Sequence, residues 1–127
     1  EETPVMMSPP PGTKVYLACK PTDMRKGLNA LSAEVAQVLR SDPYSGHLFV
    51  FRSKSGGVLK ILYWDGTGLC LFVKRLEVGV FVWPSTVEDS LQMTAAQLSL
   101  LIEGFDWRRT NVAGARYTAG ARTPVFV

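Results

Sequence analysis

GGVLKILYWDGTGLCLFVKRLEVGVFVWP, residues 56–84, is the stretch whose reading decides the fold. Val58 to Trp64 and Leu69 to Leu76 are dense in aliphatic and aromatic residues. Asp65-Gly66 between them is the dipeptide suited to the positive φ angles of a type I′ turn, so a hairpin is predicted. A two-residue loop sets Leu62 opposite Leu69; a four-residue loop, Asp65 to Gly68, sets it opposite Leu71. Both registers leave the faces unchanged, because they differ by two residues and side chains alternate with a period of two. One face carries Val58, Lys60, Leu62 and Trp64 with Leu69, Leu71, Val73 and Arg75. The other carries Leu59, Ile61 and Tyr63 with Cys70, Phe72, Lys74 and Leu76. Both are mostly apolar, which implies a central hairpin covered on two sides or a curled sheet.

Working outward, Val80 to Trp83 reads as a strand closed by Pro84, and His47 to Arg52 as the strand before the hairpin. Together these make a meander of four successive antiparallel strands. Thr13 to Cys19, β-branched and alternating, adds a fifth. Thr22-Asp23 offers N-caps for a helix whose apolar stripe is Met24, Leu28, Leu31, Val35 and Val38, ending before Asp42-Pro43. Gly27 lies inside that helix at a cost of about 1 kcal/mol relative to Ala, which suggests close approach of a backbone or ligand. Ser85 to Gln92 is polar and reads as a loop or a short helical turn. Thr94 and Gln97 then form a capping box, with Met93 placed to staple onto Leu98, and Leu98, Leu101, Ile102 and Phe105 supply a buried stripe ended by Gly104. The expected fold is α+β: a mainly antiparallel five-stranded meander sheet, flat or curled, packed with two helices. Residues 1–12 read as an irregular leader, 13–107 as a single domain and 108–127 as a basic flexible tail.

A chain of 127 residues with 46% hydrophobic content suits one core. No run of eighteen apolar residues and no signal-peptide pattern is present, so a cytoplasmic protein without a membrane partner is expected. Cys19 and Cys70 lack CxxC spacing and a neighbouring His, and read as reduced core residues. The net charge of +3 is segmented. Residues 13–82 are basic, residues 83–107 carry Glu88, Asp89, Glu103 and Asp106 with no base, and the tail from Arg108 is basic again.

Several ordered motifs carry a family likeness. They are Thr22-Asp23-Met24-Arg25-Lys26-Gly27, Asp42 to Phe51 (DPYSGHLFVF), Trp64 to Phe72 (WDGTGLCLF), Lys74-Arg75-Leu76-Glu77, Phe81-Val82-Trp83-Pro84 and Glu103-Gly104-Phe105-Asp106-Trp107. Over roughly residues 11–108 the chain resembles the small accessory protein (TnpB, or Orf-two-like) of the insertion sequence 66 group of bacterial transposable elements. In that family a separate, much larger transposase performs strand cleavage. The resemblance implies a non-enzymatic accessory role in DNA transposition, with DNA at the element ends and the transposase as partners. It brings no catalytic residue with it.

Residue chemistry agrees with the absence of catalysis. A metal-dependent nuclease needs two or three converging carboxylates. Here Asp23, Asp42, Asp65 and Asp106 occupy cap and turn positions chosen for backbone reasons. His47 has no second His or Cys beside it, and Ser45 with His47 lacks a third group to orient a nucleophile and base. No metal or cofactor is expected. Nucleic-acid binding is the stronger reading, through Arg25, Lys26, Arg52, Lys54, Lys60, Lys74 and Arg75. Tyr63, Trp64, Phe72 and Trp83 are candidates for stacking on bases, against the commoner role of strand aromatics in a core. Arg25-Lys26-Gly27 at a helix N-terminus could hold a phosphate, or Arg25 could pair with Asp23 or Asp65. The alternative is a protein-interaction module in which the acidic Glu88 to Asp106 segment and an exposed sheet edge dock the transposase or a second copy of the chain as a homo-oligomer. On the nucleic-acid reading, reversing the charge of Lys60, Lys74 and Arg75 together should abolish DNA retention and spare the fold.

Overall fold

The computed structural model describes residues 9–108. Its elements are β1 (Val15–Ala18), α1 (Leu28–Gln37), β2 (Leu48–Arg52), β3 (Val58–Trp64), β4 (Leu69–Arg75), β5 (Ser90–Met93) and α2 (Ala95–Ile102). The five strands form one sheet in the order β4-β3-β2-β1-β5. β2, β3 and β4 pair antiparallel as a meander, whereas β1 lies parallel to β2 and antiparallel to β5. The sheet is therefore mixed, and α1 is the crossover that a parallel pair requires.

The central hairpin follows the longer-loop register: Leu62 pairs with Leu71 and Trp64 with Leu69. Only Gly66 of the turn has a positive φ, +105°, so Asp65 does not serve as the first residue of a type I′ pair. Its carboxylate instead accepts from the Thr67 and Gly68 backbone N–H groups at 2.9 and 2.8 Å.

Both sheet faces are covered, as the two apolar faces of the hairpin require. α1 sets Leu31 and Val35 on Ala18, Phe49, Phe51 and Leu62. On the opposite face Val15, Leu17, Leu48, Val50, Leu59 and Ile61 pack under Leu98, Leu101 and Ile102 of α2 and under Phe81, Val82 and Trp107. β2 is consequently buried on both sides, with Leu48, Phe49, Val50 and Phe51 all fully enclosed.

Five expectations need correction. Val80 to Trp83 is not a strand: it crosses the α2 face of the sheet, and its backbone bonds to the β2–β3 turn through Phe81 N to Gly56 O at 2.9 Å. The fifth strand is Ser90–Met93, within and just after the stretch read as a loop. Among the described residues it is an edge strand, aligned on β1 from Ala18↔Ser90 to Val15↔Met93. α1 begins at Leu28, not Met24, with Gly27 as its N-cap. A Cβ at Gly27 would meet nothing within 4 Å, so no close approach explains that glycine. Asp23 caps no helix, and its carboxylate binds Arg25.

The second helix matches its sequence except at Phe105, which follows the Gly104 stop and is half-buried. Thr94 and Gln97 form the reciprocal capping box, and Met93 and Leu98 share one core cluster. Phe105 N to Leu100 O and Gly104 N to Leu101 O, both 2.9 Å, close the helix as a Schellman motif. Trp107 is buried beside it and donates from Nε1 to Val82 O at 2.8 Å. Cys19 is buried and Cys70 half-buried, both as free thiols. No helix among the described residues is long and apolar enough to cross a membrane. The leader through residue 8 and the tail from residue 109 lie outside the described residues.

Candidate nucleic-acid interface

Strand direction decides where the cations fall. β1 and β2 end, β3 begins and β4 ends at the same edge of the sheet, so Arg52, Lys54, Lys60, Lys74 and Arg75 gather toward one end of it. The connection from β1 to α1 joins them there, because Thr22 N donates to Arg52 O at 2.8 Å and Lys60 Nζ reaches Met24 O and Lys26 O at 2.7 and 2.9 Å. That connection carries Lys20, Arg25 and Lys26. Lys20 was not singled out by sequence reasoning; its position directly after an alternating strand was the available signal.

The gathering is by sheet end, not by face. Lys60 and Arg75 project on the α1 side, Arg52 and Lys74 on the α2 side, following the alternation along each strand. Their surroundings also differ. Lys60 and Lys74 are half-buried and spend ammonium donors on backbone carbonyls, Lys74 on Ile102 O at the end of α2, 2.9 Å away. Arg25 is bound to Asp23 at 2.8 Å although its side chain is 91% exposed. Lys26 binds Glu34 at 2.9 Å, whose other oxygen accepts from Thr22 Oγ1. Arg52 places its guanidinium 5.3 Å from the Trp83 ring centroid and donates to Cys19 O at 3.5 Å. Lys54 and Arg75 are exposed and have no carboxylate partner among the described residues.

The electrostatics follow from these contacts. Hydrogen bonds from the Arg25 side chain and backbone hold the Asp23 carboxyl down at about 2, and Asp23 in turn raises the Arg25 pKa. Partial burial lowers that of Arg52. Burial raises the Cys19 thiol, which opposes thiolate formation there.

The aromatic candidates do not form a platform among the cations. Tyr63 and Phe72 pack against the core under α2. Trp83 lies beneath Arg52, and its Nε1 donates to Gly56 O at 3.1 Å. Trp64 is at the far end of the sheet, edge-on to Tyr44 at 5.6 Å. His47 uses Nδ1 to accept the Lys14 N–H at 3.0 Å, tying the start of β1 to β2. No group of three metal-ligating side chains occurs among the described residues.

The arrangement is thus a basic sheet end, built on a sequence whose residues 13–112 match the family model described as IS66 Orf2 like protein. The chain belongs to the IS66 Orf2-like family. Two relatives within reach of this family member come from Sinorhizobium fredii. The uncharacterised protein y4hO is 48% identical over 95 residues, 75% of this chain and 83% of the relative. The uncharacterised protein y4jC is 42% identical over 104 residues, 82% of this chain and 89% of the relative. No solved structure matches the chain. Membership of the IS66 Orf2-like family carries a transposition-associated accessory role.

Proposed function

We propose that the protein is a non-enzymatic accessory factor of transposition that binds DNA by phosphate contacts from the basic end of its sheet. The observation that supports this is the convergence of strand ends that brings Arg52, Lys54, Lys60, Lys74 and Arg75 together beside the loop bearing Lys20, Arg25 and Lys26. Lys54 and Arg75 make the direct phosphate contacts. Arg25, Lys26, Arg52, Lys60 and Lys74 hold the scaffold and add to the positive field that attracts the duplex. Contacts of this kind position a protein on DNA without reading sequence.

The test is duplex binding by fluorescence anisotropy across a salt series, with an element end and an unrelated duplex. The wild type should bind both with an affinity that falls as salt rises. Lys54→Ala with Arg75→Ala should reduce the slope of log K against log salt by about 2, since each phosphate contact contributes about 0.9. An unchanged slope removes this end of the sheet from DNA binding.

A second reading, docking to the transposase, is favoured by exposed valines in loops of the same sheet end, Val78 at 77% and Val87 at 88%. Co-purification of the protein, the transposase and an element end, each omitted in turn, separates the two. Retention of the protein by transposase alone, abolished by Val78→Asp or Val87→Asp, supports docking; retention only when DNA is present supports the first reading.

A further inference from the structure

β4 is the terminal strand of the sheet among the described residues, and its backbone groups alternate in direction. Leu76 N donates to Gly57 O and Asp65 N to Gly68 O, each at 3.0 Å, so the even-numbered residues of β4 are turned toward β3. The N–H and C=O groups of Leu69, Leu71, Val73 and Arg75 therefore point outward. Exposed edges in soluble proteins are usually blunted by prolines, bulges, short length or charge. β4 has none of these along Leu69-Cys70-Leu71-Phe72-Val73, and Val73 is 52% exposed.

We infer that this edge pairs with β4 of a second copy of the chain, antiparallel about a two-fold axis at Phe72. The commitment to a second copy rests on self-complementarity. With Phe72 on the axis, the outward groups of Leu69, Leu71, Val73 and Arg75 face those of Arg75, Val73, Leu71 and Leu69 of the other copy, so the whole strand is used. Val73 then packs beside the second copy's Leu71 and Phe72 against Phe72. Lys74 lies opposite Cys70, and the two Lys74 side chains are separated by four residues along the strand, about 13 Å. The axis is perpendicular to the sheet, so both α1 layers stay on one side and the isologous contact closes at two copies. A further consequence rests on the proposed DNA reading. The two basic ends would face opposite directions, which suits holding two separate duplexes and not one continuous stretch.

The dimer is tested without DNA, so its failure is distinct from failure of the DNA reading. Sedimentation of the full 127-residue chain at tens of micromolar should give twice the 14.0 kDa chain mass. Val73→Pro removes an outward N–H and leaves the β3 pairing intact, and Val73→Lys places like charges in the seam; either should yield the single-chain mass. In a Cys70→Ala background, Phe72→Cys should oxidise to a covalent dimer, because the axial pair is non-hydrogen-bonded with Cα atoms about 4.5 Å apart. Arg75→Cys in the same background should not cross-link. A wild type with single-chain mass overturns the inference. So does a dimer that survives both Val73 variants.

Discussion

Trp83 Nε1 and the Phe81 backbone N–H both donate to the carbonyl oxygen of Gly56, at 3.1 and 2.9 Å. One carbonyl in the β2–β3 turn thereby fastens the segment that crosses the sheet face. Gly56 has φ +86°, and a Cβ there would sit 3.2 Å from Trp83 Nε1 and 3.4 Å from its Cδ1. Gly56→Ala combines a left-handed backbone penalty of roughly 1–2 kcal/mol with displacement of the indole. We expect a loss of about 1–3 kcal/mol in urea denaturation, with altered Trp fluorescence in the folded state. A variant as stable as wild type would show that the turn does not anchor the crossing segment.

Lys60 and Lys74 hold the fold from opposite faces. Lys60 ties the loop before α1 to β3, and Lys74 satisfies a carbonyl left unpaired at the C-terminus of α2, where a cation is favoured by the helix dipole. Lys60→Met and Lys74→Met should each cost about 1–3 kcal/mol in chemical denaturation, as loss of charge-assisted bonds does. Charge reversal at Lys60, Lys74 and Arg75 together would then unfold the protein, contrary to the expectation from sequence. Reversal at the exposed Lys54 and Arg75 should stay within about 0.5 kcal/mol of wild type.

The parts of the fold that are legible in sequence are those written in local periodicity. The period of two in β3 and β4 sets the same faces in either register, and the T-x-x-Q box marks the start of α2. Sheet order is not local. Nothing in Thr13 to Cys19 says that this strand enters parallel to β2, because that depends on where α1 crosses. Val80 to Trp83 has strand composition, yet its apolar side chains serve a layer over the sheet. Ser90 to Met93 looks polar because an edge strand needs only Leu91 and Met93 on its buried side. The cations are legible by residue type, but their division between faces and their backbone partners depends on the register.

The capping box predicts a coupled effect. Thr94 Oγ1 accepts from Gln97 N at 3.0 Å while Gln97 Oε1 accepts from Thr94 N at 2.8 Å. Thr94→Ala should lose about 1 kcal/mol. Gln97→Ala should lose less, since the Thr94 N–H it exposes is reached by water. In a double-mutant cycle the two losses should fall short of additivity, because each side chain holds the geometry that the other uses. Full additivity would mean that the two bonds are independent.

Asp65 gives the stability of the hairpin a pH signature. Backbone N–H groups of Thr67 and Gly68, with help from the Cys70 thiol and the Thr67 hydroxyl, hold its carboxyl down at about 2. The unfolded chain titrates this group near 3.9. A carboxyl whose folded pKa is depressed stabilises the native state above its unfolded pKa, and that contribution is lost as pH falls through the folded value. Wild type should therefore exceed Asp65→Ala in urea midpoint by a constant amount from pH 7 down to about 4, with the gap narrowing between about 4 and 2. Asp23 also titrates low, but it is present in both proteins and cancels in the difference. A gap that holds its full size at pH 2 would mean that turn geometry, and not the carboxylate charge, is what Asp65 supplies.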